Sequence, residues 1–214
     1  MPTNIEIYIF IAITGYLIGA IPYGLIVGFI SRGIDIRNHG SGSTGATNVL
    51  RILGLRLASI VVILDVSKAI IVIFIASFFL NGEPLIKAIG AIFVILGHIW
   101  PITAKLRGGK GVLTGIVGLI ILSPLSGVPS FILAVLTISV FKIVSLGSIV
   151  GTMASVIAIL VLYLFGQEKN IEYVAYVIIG SIIILFKHTD NIKRLISKTE
   201  PKIGNSAKKQ KNDD

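Results

Sequence analysis

The sequence is dominated by apolar runs that are long enough to cross a lipid bilayer. Residues 7–30 contain no charged side chain, and residues 57–80 contain only Asp65 and Lys68. A helix needs roughly 20 apolar residues to cross hydrocarbon about 30 Å thick. Further runs cover residues 85–104, 111–141, 147–165 and 171–186. Because backbone groups in lipid must be satisfied internally, we expect an all-α polytopic membrane helix bundle.

Composition excludes several other classes of protein. Charged residues make up 14% of the 214 residues, against about 25% in soluble domains, which argues against a soluble enzyme or a disordered chain. The sequence contains no cysteine, which excludes disulfides, thiolate metal sites and a cysteine nucleophile. The net charge of +9 is expected to reflect asymmetric loops, with no nucleic-acid partner. The first run lacks a small-residue cleavage site and is interpreted as a retained span.

The number of spans depends on residues 111–141, which are 31 uncharged residues. Ser123-Pro124 and Gly127-Val128-Pro129 favour a break in the middle. Two helices here give seven transmembrane helices with the N-terminus outside, and 16 Lys and Arg inside against two outside. One long helix would give eight inside against ten outside. The positive-inside rule favours seven spans and a cytoplasmic C-terminus.

Polar motifs collect on the cytoplasmic side in this topology. They read GSGSTGATN at 40–48 with Arg51 behind it, GHIWP at 97–101 with RGGKG at 107–111, KIVSLGS at 142–148 and KHTDNIKR at 187–194. The outer loops contain nothing comparable. A buried charge pair, Asp65 and Lys68, lies three residues apart on one helix face and must point into the bundle. This pair either orients nearby groups or acts directly in catalysis.

Helix polarity suggests what these motifs bind. Spans two, four and six begin at the cytoplasmic face, where free N–H groups and the positive end of the helix dipole favour anions. Thr47 or Asn48 is expected to cap span two, residues 109–111 to open span four, and Ser145 to cap span six. Glycine lets N–H groups approach a phosphate closely, and Lys110 supplies the counter-charge. Three such termini predict a strongly anionic ligand with more than one phosphate.

Each motif alone has a simpler interpretation, and several known motifs are absent. The glycines at 40–48 could form a plain turn, Lys110 could be a membrane anchor, and His98 an interfacial histidine. The coincidence of four polar segments on one face favours a site. Gly111 after Lys110 rules out a Walker loop, and no zinc-binding His-x-x-x-His or Gly-x-Ser-x-Gly elbow occurs. No metal ion and no cofactor are expected.

The motifs resemble those of a known family. Residues 40–48 resemble its GSGNxGATN motif, and Gly97-His98-x-x-Pro101 with GGKG at 108–111 resembles GHxxP…GGKG. Residues 145–148 (SLGS) and 188–195 (HTDNIKRL) match the remaining two motifs, in order and with similar spacing. This is the acyl-phosphate:glycerol-3-phosphate acyltransferase family (PlsY) of bacterial integral membrane enzymes. Ser43, Lys142 and Asp190 depart mildly from the family pattern.

The resemblance implies transfer of an acyl group from acyl phosphate to the 1-hydroxyl of glycerol 3-phosphate, giving lysophosphatidate and phosphate. It implies catalytic residues Ser41, Arg51, Lys110, Ser145, His188 and Asn191. The expected phosphate-binding or substrate-binding residues are Gly42, Thr47, Asn48, His98, Gly108, Gly109 and Gly111. The base for the attacking hydroxyl is either His188 or the substrate phosphate, which the family is thought to use.

Residues 1–196 are expected to form one transmembrane catalytic domain, and residues 197–214 a basic, disordered cytoplasmic tail. We expect a monomer in the bacterial cytoplasmic membrane with its active site on the cytoplasmic face. Its partners would be the two substrates, the lipid bilayer and an enzyme that supplies acyl phosphate. The alternative function is a transporter or permease for an organophosphate, although transporters usually bind near the bilayer midplane and show repeats. A non-catalytic scaffold would leave the four motifs unexplained.

Overall fold

The computed structural model describes residues 4–203, and over this range it contains α-helices, two short 3-10 helices and no strand. The α-helices are α1 (Asn4–Gly19), α2 (Tyr23–Arg32), α3 (Ala46–Leu53), α4 (Leu55–Phe79), α5 (Pro84–Ile99), α6 (Val112–Leu122), α7 (Pro124–Phe141), α8 (Val144–Leu164), α9 (Ile171–Phe186) and α10 (Thr189–Ile196). The 3-10 helices cover Ile36–Asn38 and Ile102–Ala104.

Five helical stretches are long and apolar enough to cross a membrane. They are Ile5–Arg32, Leu55–Phe79, Pro84–Ala104, Pro124–Phe141 and Val144–Leu164. The bent pair α9 and α10, with an angle of 60° between its halves, adds a sixth if it is counted. The expected all-α membrane bundle is therefore confirmed. Helix α6 has 11 residues and rises only about 16 Å, so the seventh span depends on a helix too short to cross alone.

The long apolar run at 111–141 breaks where a proline ends a helix. Helix α6 ends at Leu122. The N–H of the next residue, Ser123, donates to the carbonyl of Leu119 at 2.7 Å, and Pro124 opens α7. Proline fits the first helical turn because its missing N–H would have no partner there. The expected break therefore lies at Ser123-Pro124, whereas Pro129 lies inside α7 and Gly127 lets α7 approach the backbone of Ile120.

The first span differs from the expected single helix over residues 7–30. Helix α1 ends at Gly19, and α2 begins after Pro22, which lacks the N–H that a continuous helix needs. The hydroxyl of Thr103 donates to the carbonyl of Ala20 at this break. The carbonyl of Ala20, which the break leaves without a helical partner, is therefore hydrogen-bonded by Thr103 in the segment that follows α5.

Two of the expected helix caps are wrong. Thr47 and Asn48 lie inside α3, an extra short helix that Gly45 precedes, and α4 starts only after Gly54. Ser145 lies in the first turn of α8, and its hydroxyl bonds elsewhere. Residues 109–111 do open α6 as expected, with Gly111 immediately before it at φ 80°.

The helices pack through small residues and leave apolar side chains outside. Gly19 of α1 lies against α5 so closely that a Cβ there would be 2.5 Å from the carbonyl oxygen of Val94. Ile30 and Phe78 are among many large apolar side chains that are mostly exposed. Close backbone contacts and an apolar exterior are what a bundle in lipid requires.

Candidate active site

One cavity of about 320 Å³ lies where α6 and α8 begin and where α10 follows α9. Ten residues that the motifs single out line it: Ser41, Thr47, Asn48, Arg51, His98, Lys110, Gly111, Ser145, His188 and Asn191. Gly42, Gly108 and Gly109 do not line it. Segments that are up to 150 residues apart in the sequence thus meet around one space.

Asn48 organises the first polar loop through its side-chain amide. Its Oδ1 accepts from the N–H of Ser41 at 2.9 Å, and its Nδ2 donates to the carbonyls of Ile36, His39 and Ser43. These bonds use both ends of the side chain, which is 1% exposed. Asn48 therefore holds the loop in shape, and its expected role in binding phosphate stays a prediction.

The first loop is tied to the loop after α5. The N–H of Thr44 and the hydroxyl of Ser43 both donate to the carbonyl of Gly108 at 3.4 Å. Arg37 donates to the carbonyl of Ala104 at 2.7 Å and pairs with Asp35. Hydrogen bonds from Arg37 lower the pKa of Asp35 to about 2, so this bridge stays ionised at neutral pH.

The glycine loop at 108–111 lies directly on His98. The N–H of Gly109 donates to the carbonyl of His98 at 3.0 Å. A Cβ on Gly109 would lie 2.0 Å from His98 Nε2, and a Cβ on Gly108 would lie 2.1 Å from the His98 carbonyl oxygen. Both glycines are needed because the loop packs against this residue without a gap. They shape the site from beneath and do not line it.

Lys110 is a half-buried cation at the start of α6. Its ammonium donates to Oδ1 of Asn191, which joins the third loop to α10. Burial lowers the pKa of Lys110 to about 8, although the nearby carboxylate of Glu200 opposes the shift. Burial also lowers the pKa of Arg51, which stays charged because guanidinium does not lose its proton in proteins. Two cations therefore face the cavity.

Glu200 is a site residue that the sequence interpretation missed. Its carboxylate accepts from Ser145 and Asn191 at 2.7 Å each, and from Arg194 at 2.7 Å. Burial raises its pKa, but hydrogen bonds from these three side chains outweigh burial, and the net shift of the pKa is downward. The signal available in the sequence was its isolation: it is the sole acidic residue between Asp190 and Asp213.

The position of Glu200 also corrects the expected domain boundary. Ordered contacts continue past residue 196, since Glu200 is 7% exposed and the N–H of Ile203 donates to the carbonyl of Lys142. Residues 197–203 therefore pack against α8 and α10 and belong to the folded unit. The rest of the expected tail, residues 204–214, lies outside the described residues.

His188 is held in one tautomer by the backbone. It is 2% exposed, and its Nδ1 lies 2.8 Å from the carbonyl oxygen of Ile184. A carbonyl only accepts, so Nδ1 carries the ring proton and Nε2 is an acceptor. Burial lowers the pKa of His188 to about 4, and the nearby Lys110 adds to this shift. The imidazole is therefore neutral at pH 7.

The charge pair of α4 lies beneath the cavity. Lys68 Nζ is 2.7 Å from Asp65 Oδ1, and both side chains are almost fully buried, as the sequence predicts. Asp65 lines the cavity together with His98. In residues 4–203 no group of three or more His, Asp or Glu side chains is placed to hold a metal ion.

The other end of the cavity is apolar. Helix α7 contributes Phe131, Ala134, Val135 and Ile138, and α6 contributes Leu113 and Ile116. The α7 positions follow an i, i+3, i+4, i+7 pattern, which places them on one face of the helix. This stripe covers about 10 Å along the helix axis at 1.5 Å per residue. The cavity is thus lined by cationic side chains in one part and by apolar side chains in another.

Comparison with known proteins gives a consistent family. A model of the glycerol-3-phosphate acyltransferase family matches residues 9–198. The chain is 40% identical over 190 residues to a glycerol-3-phosphate acyltransferase of Prochlorococcus marinus (strain NATL1A), covering 89% of this chain and 95% of that one. It is 42% identical over 193 residues to the corresponding protein of Thermoanaerobacter sp. (strain X514), covering 90% and 94%.

Solved structures agree with the sequence comparisons. The crystal structure of PlsY, an integral membrane glycerol 3-phosphate acyltransferase, in its glycerol 3-phosphate form superposes with a TM-score of 0.81 and 32% identity, covering 92% of this chain and 96% of that one. Its lysophosphatidic acid form gives a TM-score of 0.79 and 31% identity, covering 92% and 95%. The resemblance drawn from the motifs is confirmed. The chain therefore belongs to the glycerol-3-phosphate acyltransferase family.

Proposed function

We propose that the protein transfers an acyl group from acyl phosphate to the 1-hydroxyl of glycerol 3-phosphate, giving lysophosphatidate and inorganic phosphate. The observation that carries this proposal is the two-ended cavity. Arg51 and Lys110 face one end, while an apolar stripe of α6 and α7 lines the other. Acyl phosphate has the same two-ended character, and glycerol 3-phosphate adds a second anionic group. Relatives solved with glycerol 3-phosphate and lysophosphatidic acid support both substrate and product.

The phosphates are assigned to two cationic positions. Lys110 and the start of α6 bind one phosphate, because an ammonium, free N–H groups and the helix dipole all favour an anion there. Arg51 binds the other phosphate through its planar guanidinium, with the exposed Ser41 beside it. The neighbouring Glu200 keeps the pocket from carrying excess positive charge when no substrate is bound.

The attacking hydroxyl is deprotonated by a phosphate of the substrate in this mechanism. His188 is a poor base, because burial lowers its pKa to about 4. Its Nε2 instead accepts a hydrogen bond from the second, non-reacting hydroxyl of glycerol 3-phosphate. This contact orients the substrate, and the proton of the attacking hydroxyl goes to the phosphate. Asn191, which bridges Lys110 and Glu200, fixes the ammonium beside the phosphate.

Direct transfer needs no covalent intermediate on the protein. Acyl phosphate is an activated mixed anhydride with a good leaving group, so the protein has to align two anions and stabilise the oxyanion. Ser145 is placed by Glu200 at 2.7 Å and lines the cavity. We assign its hydroxyl to positioning the reacting groups rather than to nucleophilic attack.

The acyl chain is assigned to the apolar end, between α4, α6 and α7. Val62 of α4 and Phe131 of α7 are among the apolar residues that line the cavity. Phe131 and Val135 are 41% and 42% exposed. A groove that opens between helices lets the chain enter from the bilayer and keeps its methylenes out of water.

Val135→Trp should alter donor preference without disturbing the fold, since the position is partly lipid-exposed. A larger ring narrows the groove, and we expect kcat/KM for palmitoyl phosphate to fall roughly 10-fold more than for a short-chain acyl phosphate. Leu136→Trp is the matched control, because Leu136 is 55% exposed and does not line the cavity. Equal losses with both donors would place the acyl chain elsewhere.

We further propose a seven-span topology, a monomer in the bacterial cytoplasmic membrane and an active site that faces the cytoplasm. The asymmetry of 16 Lys and Arg against two supports this orientation. Helices α6 and α9 complete the count, with α6 shielded from lipid by its neighbours. A cytoplasmic site would receive glycerol 3-phosphate from solution and acyl phosphate from an enzyme that makes it.

The orientation can be measured because the chain has no cysteine. Gln167→Cys, in the exposed turn between α8 and α9, should react with an impermeant maleimide in intact cells. Arg107→Cys should react only after the membrane is opened. Labelling in the reverse order would overturn the seven-span arrangement.

Donor identity tests the proposed reaction. Purified protein should form lysophosphatidate and phosphate in equal amounts from palmitoyl phosphate and glycerol 3-phosphate, and neither product when glycerol 3-phosphate is omitted. Palmitoyl-CoA should not replace palmitoyl phosphate. Acylation from the thioester alone would contradict the assigned donor, and uptake of glycerol 3-phosphate into liposomes without product would favour a transporter.

A further inference from the structure

Lys68 of α4 is buried among Asp65, His98 and Tyr23. Lys68 is 1% exposed and does not line the cavity. Its ammonium is 2.7 Å from Asp65 Oδ1, 3.4 Å from His98 Nδ1 and 4.8 Å from the centre of the Tyr23 ring. An ammonium has three donors and no acceptor, so His98 Nδ1 must accept from it.

That contact determines where the proton of His98 lies. A hydrogen on Nδ1 would point toward the ammonium, 3.4 Å away, and be repelled by it; this repulsion favours the proton on Nε2 over a bond from Nδ1 to the Asp65 oxygen at 3.5 Å. The hydrogen bond at one ring nitrogen sets the protonation of the other. Neutral His98 therefore carries its proton on Nε2.

The Nε2 end of His98 faces the glycine loop. His98 lines the cavity, and Nε2 lies next to the Cα of Gly109, where any larger residue would collide with it. Within residues 4–203 this nitrogen has no hydrogen-bond partner. His188 on another wall has the opposite tautomer, with Nδ1 protonated by its bond to Ile184. The cavity thus presents one imidazole donor and one imidazole acceptor.

We propose that Lys68, neutralised by Asp65, is a positioning residue that holds His98 in the Nε2–H tautomer, so that this N–H donates to a phosphoryl oxygen of a bound substrate. The proposal rests on the proposed function for the identity of that oxygen, but not for the tautomer. An N–H at His98 Nε2 can donate to a phosphate bound at the glycine loop, whereas a lone pair at Nε2 would repel the phosphate oxygens.

Nitrogen NMR of protein labelled at the histidine rings tests the tautomer without any activity. The chain has three histidines, of which His39 is exposed, and His98→Gln and His188→Gln assign the other two. We expect protonated Nε2 at His98 and protonated Nδ1 at His188. A protonated Nδ1 at His98 in the unmodified protein would overturn the proposal.

The role of Lys68 is tested in a charge-neutral double variant, Asp65→Asn with Lys68→Met, which leaves no buried ion unpaired. The His98 signal should shift toward the Nδ1–H form or a mixture, while the His188 signal stays in place. An unchanged His98 tautomer would show that Lys68 does not set it. Glycerol 3-phosphate and an acyl phosphate are then added separately to the unmodified protein. The substrate whose phosphoryl oxygen accepts from His98 should move the Nε2 signal. No movement with either would contradict the assigned contact.

Kinetics of two amide variants of His98 test whether a donor at the Nε2 position preserves activity. The amide N–H of glutamine can reach the Nε2 position, whereas that of asparagine reaches only the Nδ1 position. His98→Asn should lower kcat/KM about tenfold more than His98→Gln, as expected for one hydrogen bond to an anion. Equal losses in two folded variants would indicate that His98 only fills space. Failure of the proposed function would instead appear as no acyl transfer by the unmodified protein with an unchanged NMR result.

Discussion

Lys110→Ala should lower kcat/KM by about 10- to 100-fold, because a hydrogen bond to a charged group contributes roughly 1.5–3 kcal/mol and each 1.36 kcal/mol is tenfold in rate. The loss also frees Asn191, whose Oδ1 accepts from this ammonium. Folding should survive, since Lys110 is only partly buried. Steady-state kinetics together with thermal unfolding of the purified variant measure both effects.

Lys105→Ala is the matched control for Lys110. Lys105 lies in the same loop, is exposed and does not line the cavity, so its removal should change kcat/KM little. Equal, small losses in both folded variants would mean that Lys110 is only a membrane anchor.

The pH profile gives a second measurement of Lys110. The cationic form is the one that binds phosphate, and burial lowers its pKa to about 8. The charge is present below this pKa and lost above it, so kcat/KM should fall as the pH rises through about 8. Lys110→Arg should weaken this decline, because guanidinium stays protonated. An identical decline in the arginine variant would assign it to another group.

Gly108→Ala should be comparably damaging, with about a 100-fold loss of kcat/KM. The new Cβ would lie 2.1 Å from the His98 carbonyl oxygen, 2.5 Å from Pro101 Cδ and 2.8 Å from the Ile99 carbonyl oxygen. Backbone atoms cannot rotate away, so the glycine loop and Lys110 must move. Displacement of about 1 Å at a reacting centre costs about this much.

Gly180→Ala serves as the control for this substitution. Its Cβ would meet only the ends of two flexible side chains, Ile95 at 3.3 Å and Ile92 at 3.9 Å, and the Ile95 methyl can shift. Kinetics close to those of the unmodified protein are expected. If Gly108→Ala were equally active, the tight fit of the loop on His98 would not matter for catalysis.

Local chemistry explains which parts of the fold were predictable. Charge-free apolar runs predict membrane helices, and Pro124 predicts the break after α6. Both features are predictable because each depends on residues that are close together in the sequence. The meeting of four motifs in one cavity follows from placing their loops on one side of the membrane. The short helix α3 was missed, since its eight residues follow a loop that looked like the start of α4.

Contacts that depend on distant segments could not be predicted. Glu200 reaches Ser145 across 55 residues, and nothing in its own neighbourhood specifies that partner. The glycine motif around Asn48 gave no sign that its amide bonds to three backbone carbonyls. The acyl groove depends on how α6 and α7 pack, so a uniformly apolar run gave no sign of which residues line it.

Direct transfer between two substrates in one cavity is the central claim, and a rapid-quench experiment with acyl-labelled palmitoyl phosphate tests it. With glycerol 3-phosphate withheld, we predict no burst of phosphate and no label on the protein. Adding glycerol 3-phosphate should then release phosphate and lysophosphatidate together, in equal amounts. A stoichiometric phosphate burst without glycerol 3-phosphate, with the acyl label bound covalently to the protein, would contradict the account.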